Sequence, residues 1–146
     1  MLRGIDPLLG PDLLHALRAM GHGDEIAVVD ANYPATSNAT RLIRIDGVDA
    51  VRVVDAILSV MPLDSFVEHA ASRMEVVGNP TEIQPVQKEV QAEIDRAEGK
   101  PWPMGSIERM AFYEHAKKAY CVITTAETRF YGCFIFTKGV IPPKAE

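Results

Sequence analysis

Apolar residues at Leu13, Leu14, Leu17 and Met20, three and four apart, predict a first helix that Gly21 stops. Pro11 suits its opening turn, and Asp12 suits the positive end of its dipole. Ile26 to Val29 is a short, unbroken and partly β-branched apolar run, the mark of a strand buried on both faces. Leu42 to Ile45 predicts another strand, ended by the turn pair Asp46-Gly47. Asp49 then precedes Val51, Val54, Leu58 and Met61, a helix closed by Pro62. Phe66 to Val77 lacks clean alternation and is read as an extended strand. After Asn79-Pro80 and Pro85, the series Val86, Val90, Ile94 and Ala97 forms one helical face, with Lys88, Glu89, Glu93 and Asp95 outside and Gly99 at its end. Ser106 is placed to cap a further helix through Ile107, Met110 and Ala111, ending near Lys117-Lys118. Tyr120 to Thr124 and Cys133 to Thr137 predict two final strands. Strands interleaved with amphipathic helices indicate an α/β sandwich. With no repeat or linker, residues 1–146 form one domain.

Composition narrows the classes. The net charge is −5 over 146 residues, with no basic block or stripe, so a nucleic-acid partner is not expected. Apolar runs of a few residues predict no membrane span. The start Met1-Leu2-Arg3-Gly4-Ile5-Asp6-Pro7 breaks before a signal-length apolar region develops. Two cysteines, Cys121 and Cys133, suit a reduced protein better than a disulfide scaffold, and the expected compartment is the cytoplasm. His15, His69 and His115 share no metal-ligand spacing, and no metal is expected.

The chemistry gathers around Met20 to Pro34. His22 stands between Gly21 and Gly23 in the turn before the first strand, and Asp30 stands at that strand's carboxyl end, where α/β sheets bind ligands. The flanking glycines open the approach to His22, though they equally describe an ordinary helix end. A strand of about four residues spans roughly 13 Å. His22 and Asp30 therefore need not meet, unless the chain curls back or a neighbouring subunit supplies one of them. The loop Asn32 to Thr40, directly downstream, is either a ligand cradle or a plain connector.

Four separated motifs, Gly21-His22-Gly23-Asp24-Glu25, Asp30-Ala31-Asn32-Tyr33-Pro34, Arg109 with Ala111-Phe112-Tyr113-Glu114, and Tyr131-Gly132, resemble the fucose mutarotase and ribose pyranase family over about Leu2 to Pro142. The Ala-Phe-Tyr-Glu segment is more similar to the fucose branch. The resemblance implies a three-layer α/β/α sandwich around a mixed sheet. It implies interconversion of the anomers of a free monosaccharide without metal or organic cofactor. It also implies homo-oligomeric rings, often decamers of two five-membered rings, with sites close to subunit contacts. By motif, His22 corresponds to the proton donor, and Asp30, Arg109, Tyr131, Gly132 and Cys133 to sugar-binding positions. Members commonly carry Asn after Tyr-Gly, where this chain has Cys133. A thiol is a weak donor in place of an amide that both donates and accepts, so a contact made through that side chain is in question while a backbone contact would survive.

Anomer exchange opens a cyclic hemiacetal and recloses it on the other face, with one proton delivered to the ring oxygen and one taken from the anomeric hydroxyl. An imidazole suits this because its ordinary pKa of about 6.5 leaves both forms available near neutrality. Asp30 competes as a turn former, Arg109 as a solvated helix charge and Tyr131 as a packed turn aromatic. In their functional roles, Asp30 accepts from sugar hydroxyls, Arg109 donates to sugar oxygens, and Tyr131 binds a hydroxyl or assists proton transfer. Two other readings share these residues: a ribose pyranase, and a sugar-binding oligomeric protein without catalysis.

Overall fold

Four consecutive apolar residues, Ile26 to Val29, are fully buried in β1 (Glu25–Val29), which lies inside a six-stranded sheet among the residues 1–145 that the computed structural model describes. The other strands are β2 (Leu42–Ile45), β3 (Ala71–Met74), β4 (Gly105–Ile107), β5 (Cys121–Thr125) and β6 (Phe134–Thr137), in the order β2-β5-β1-β6-β3-β4. β2, β5 and β1 run parallel, as do β3 and β4, while β6 is antiparallel to both of its neighbours. The sheet is mixed, and the carboxyl ends of β1, β3, β4 and β5 share one edge with the start of β6.

Alternation along each central strand feeds two cores. Ile26, Val28, Cys121, Ile123, Phe134 and Phe136 face α1 (Pro11–Ala19), α3 (Ala50–Leu58) and α4 (Pro85–Glu98). Ala27, Val29, Val122, Cys133 and Ile135 face α2 (Ala35–Asn38) and α5 (Arg109–Lys118) through Ala35, Phe112 and Ala116. The expected three-layer α/β/α sandwich is therefore the observed one. Asp49 caps α3 by accepting from Arg52 N–H, and Gly99, at φ 72°, closes α4, both as the sequence predicts.

The structure departs from the sequence reading at several places, the first being α3, which ends at Leu58 with Ser59 as its cap, short of Met61 and Pro62. Gly21 does not end α1: the chain turns extended at Met20, whose N–H still reaches Ala16 O, and the left-handed residue is Gly23 (φ 88°). The Nζ of Lys138 donates to Leu17 O and Met20 O, capping the helix with a cation. Of Phe66 to Val77 only Ala71–Met74 is a strand. Asp64 accepts from Phe66 N–H and turns the chain outward, leaving Phe66 exposed, and Gly78 reverses it again. Ser106 caps nothing, because it is paired with Arg73 in the sheet; α5 starts only once the chain has left β4, with the Glu108 carboxylate accepting from Met110 N–H and Ala111 N–H. The loop after Asp30 contains the short helix α2.

One close approach fixes the edge opposite the carboxyl ends. A Cβ on Gly139 would lie 2.5 Å from Leu63 O and 2.8 Å from Asp64 Cα, both unyielding backbone. Gly139→Ala is expected to lose about 1–3 kcal/mol, the usual range for overpacking, measured as a lowered urea midpoint at unchanged slope.

Candidate active site

The carboxyl edge of the sheet opens into a cleft of about 320 Å³ containing Asp30, Tyr33, Arg109, Tyr113, Tyr131 and Cys133, with Met74 and the exposed Phe130 at its walls. Asp30 follows β1, Cys133 precedes β6, and the two strands are hydrogen-bonded neighbours, which sets the two side chains against each other. The Cys133 thiol donates to Asp30 Oδ2 at 3.3 Å, and Asn32 N–H donates to Asp30 Oδ1 at 3.0 Å. Burial pushes the Asp30 carboxyl above the usual carboxylate range, against the hydrogen bonds that favour its charge. Burial likewise drives the Cys133 thiol well up, and the neighbouring carboxylate adds to this, so the sulfur stays protonated as a donor to Asp30. Cys121, on the opposite face, is pushed up to about 12 by burial and is inert.

Arg109 opens α5, and its Nε donates to the Tyr113 hydroxyl at 3.0 Å, with the guanidinium 5.4 Å from that ring's centre. Tyr33 meets Tyr113 edge-on at 5.2 Å and Phe112 at 5.9 Å. Asn38 Nδ2, from α2, donates to the Tyr33 hydroxyl at 2.7 Å and to Tyr113 O at 3.1 Å. Each phenol oxygen thus accepts one internal bond and keeps its own O–H proton as a donor. Tyr131 is the sole residue other than glycine with positive φ (61°) among the described residues, and its hydroxyl accepts from Val77 N–H at 3.2 Å. Gly132 has no room for a side chain, since a Cβ there would sit 2.7 Å from Glu127 Cγ. Asn32, Tyr33 and Tyr113 lay inside the motifs quoted from the sequence without being singled out. Asn38 gave no signal, because only the α2 turn brings it beneath the aromatic pair.

His22 is elsewhere. It precedes β1 while Asp30 follows it, and five strand residues separate the two by roughly 16 Å. The His22 turn is tied to the far edge of the sheet: Gly23 N–H donates to Lys138 O, and Gly21 N–H donates to Asp24 Oδ2. There His22 Nε2 lies 3.0 Å from Asp64 Oδ1, and its ring is 5.3 Å from that of Phe66. Asp64 is 3 % exposed. Burial raises its pKa, but hydrogen bonds from Phe66 N–H and His22 outweigh this and hold the carboxyl below the usual range. An ionised carboxylate only accepts, so Nε2 is the donor in this pair and Nδ1 takes no part in it. The structure therefore gathers Asp30, Arg109, Tyr131, Gly132 and Cys133 at one edge and His22, with an unforeseen partner in Asp64, at the other.

The remaining histidines sit apart. His115 Nε2 is 2.6 Å from Glu25 Oε2, and no group of three or more His, Cys, Asp and Glu able to hold a metal occurs among the described residues. No helix among the described residues is long and apolar enough to cross a membrane.

Comparison with known proteins adds to this geometry. Residues 3–141 match the profile of the RbsD / FucU transport protein family. The chain is 44 % identical to the human fucose mutarotase over 146 residues, covering 96 % of this chain and 94 % of that one. The crystal structure of the fucose mutarotase from Streptococcus pneumoniae, in complex with L-fucose, is 40 % identical, with a TM-score of 0.90 over 97 % of this chain and 100 % of that one. A crystallised candidate sugar-binding protein is 59 % identical, with a TM-score of 0.94 over 97 % of each chain.

Proposed function

The chain belongs to the RbsD / FucU transport protein family, and from that premise we propose that it is a cofactor-independent mutarotase interconverting the α and β anomers of L-fucose or a closely similar monosaccharide. The observation that carries the reading is the division of labour between the two sheet edges. The cleft holds a buried carboxylate, a guanidinium and three phenols, which suits a polyol, but no group with an ordinary pKa near neutrality. The opposite edge holds an oriented imidazole on Asp64.

The complete site on this reading forms between copies: the His22 edge of one protomer closes the cleft of its neighbour in a homo-oligomeric ring, with a decamer or pentameric ring as the expected assembly in the cytoplasm. Phe130 beside the cleft and Phe66 beside His22 are 73 % and 75 % exposed, and each gives such a contact an apolar anchor. Asp30 accepts from sugar hydroxyls, and Arg109, Tyr131 and the Gly132–Cys133 backbone hold sugar oxygens. His22, as imidazolium, delivers its Nδ1 proton to the ring oxygen as the C1–O5 bond breaks, while the anomeric hydroxyl loses its proton to solvent water as the C1 carbonyl forms. Rotation about C1–C2 and the reverse transfers close the other anomer.

Exchange NMR on the anomeric signals tests this directly. Added protein should broaden and exchange the α and β signals of L-fucose well above the spontaneous rate. A panel that includes D-ribose separates a pyranase, and binding without faster exchange of any monosaccharide would replace the enzyme with a sugar-binding protein.

A further inference from the structure

Helix α4 runs on the far face of the sheet from α2 and α5, yet one of its side chains reaches the cleft's backbone. Gln87 has no solvent exposure. Its Oε1 accepts from Gln84 N–H at 3.0 Å, the half of a capping box that stabilises the helix start. Its Nε2 does something the cap does not require: it donates to Met74 O at 2.8 Å and to Tyr131 O at 3.1 Å. Both carbonyls belong to residues of the cleft wall, one ending β3 and one in the loop before β6. Tyr131 is also the residue held at positive φ, a conformation that an L side chain keeps only when its surroundings impose it. The same helix grips the loop a second time, where Glu89 Oε1 pairs with Arg129 Nη1 at 3.0 Å while Arg129 is forked onto the buried Glu127 carboxylate.

We propose that Gln87 is a positioning residue of the sugar site, its side-chain amide bridging Met74 O and Tyr131 O so that Tyr131 stays left-handed and the Tyr131-Gly132-Cys133 backbone faces the sugar. This rests on the mutarotase reading for what the site binds. The amide is the one neutral side-chain group able to supply two donors here and keep the capping acceptor. A carboxylate in its place would set a charge against two carbonyl oxygens; a protonated carboxyl would regain one donor. Leucine would keep the volume and lose every bond.

Anomer exchange kinetics of wild type, Gln87→Glu and Gln87→Leu between pH 5 and 8 test this. Gln87→Leu is expected to lose about five- to twentyfold in kcat/KM, mainly through KM, by a factor relative to wild type that is the same at every pH. Gln87→Glu should show a similar loss at pH 8 and recover several-fold relative to wild type by pH 5, as the buried carboxyl takes up a proton. Unchanged KM and kcat in folded Gln87→Leu would overturn the inference. So would equal losses in both variants at every pH, which would leave packing alone. A Gln87→Glu chain unfolded across the range would assign the residue to the fold instead of the site. Should wild type itself fail to accelerate exchange, the mutarotase reading falls separately. L-fucose-induced amide shifts at residues 131–133, lost in Gln87→Leu, would then still read the positioning role.

Discussion

Replacing His22 by alanine is expected to remove about 10²- to 10⁴-fold of the catalysed anomer exchange, the usual worth of a positioned acid/base. The side chain is 45 % exposed, so the chain should still fold, with a modestly lowered unfolding midpoint because the buried Asp64 carboxylate loses one of its donors. The sharper result comes from mixing. Since His22 and the cleft lie at opposite ends of β1, a shared site takes its imidazole from one copy and its guanidinium from another. His22→Ala and Arg109→Ala chains, each nearly inactive, should regain about a quarter of wild-type activity when unfolded together and reassembled at equal amounts, because one site in four then draws both intact halves. Sites built within a single chain would regain nothing. Full activity in His22→Ala alone would show that another group moves the proton.

Much of this arrangement was legible in the sequence because the relevant signals are local. The run Ile26 to Val29 announces a doubly buried strand, and a residue following such a strand falls at the ligand edge, which is where Asp30 lies. Helices α3 and α4 carry their own caps in Asp49 and Gly99. The failures are non-local. Ser106 has the right chemistry for a cap, but pairing with β3 claims it first. Gly21 precedes a polar turn as a helix stop would, but Lys138, 118 residues from Met20 in sequence, supplies the cation that ends α1. Asp64 and Gln87 were invisible for a related reason. Neither belongs to a motif, and each gains its role only when the sheet brings residue 64 beside residue 22 and residue 87 beneath residue 131.

Asp30→Asn is expected to separate stability from activity. Burial raises the carboxyl's pKa in the folded chain, so the native state holds its proton more tightly than the unfolded one. The sign follows: the favourable contribution of the protonated form is present below the unfolded value, near 3.8, and is lost as pH rises through the folded value. At neutral pH the ionised Asp30 therefore costs stability. Asparagine relieves that cost without disturbing the shape: its oxygen still accepts from Asn32 N–H, and its amide can donate to the Cys133 sulfur. The unfolding midpoint at pH 7 should match or exceed wild type, with the difference vanishing towards pH 3. Sugar hydroxyls, however, lose a charged acceptor, and hydrogen bonds to charged groups contribute about 1.5–3 kcal/mol. The loss in kcat/KM for L-fucose should be about 10- to 100-fold. A variant both less stable and fully active would show that the buried carboxylate is a structural turn former and that the sugar is held elsewhere.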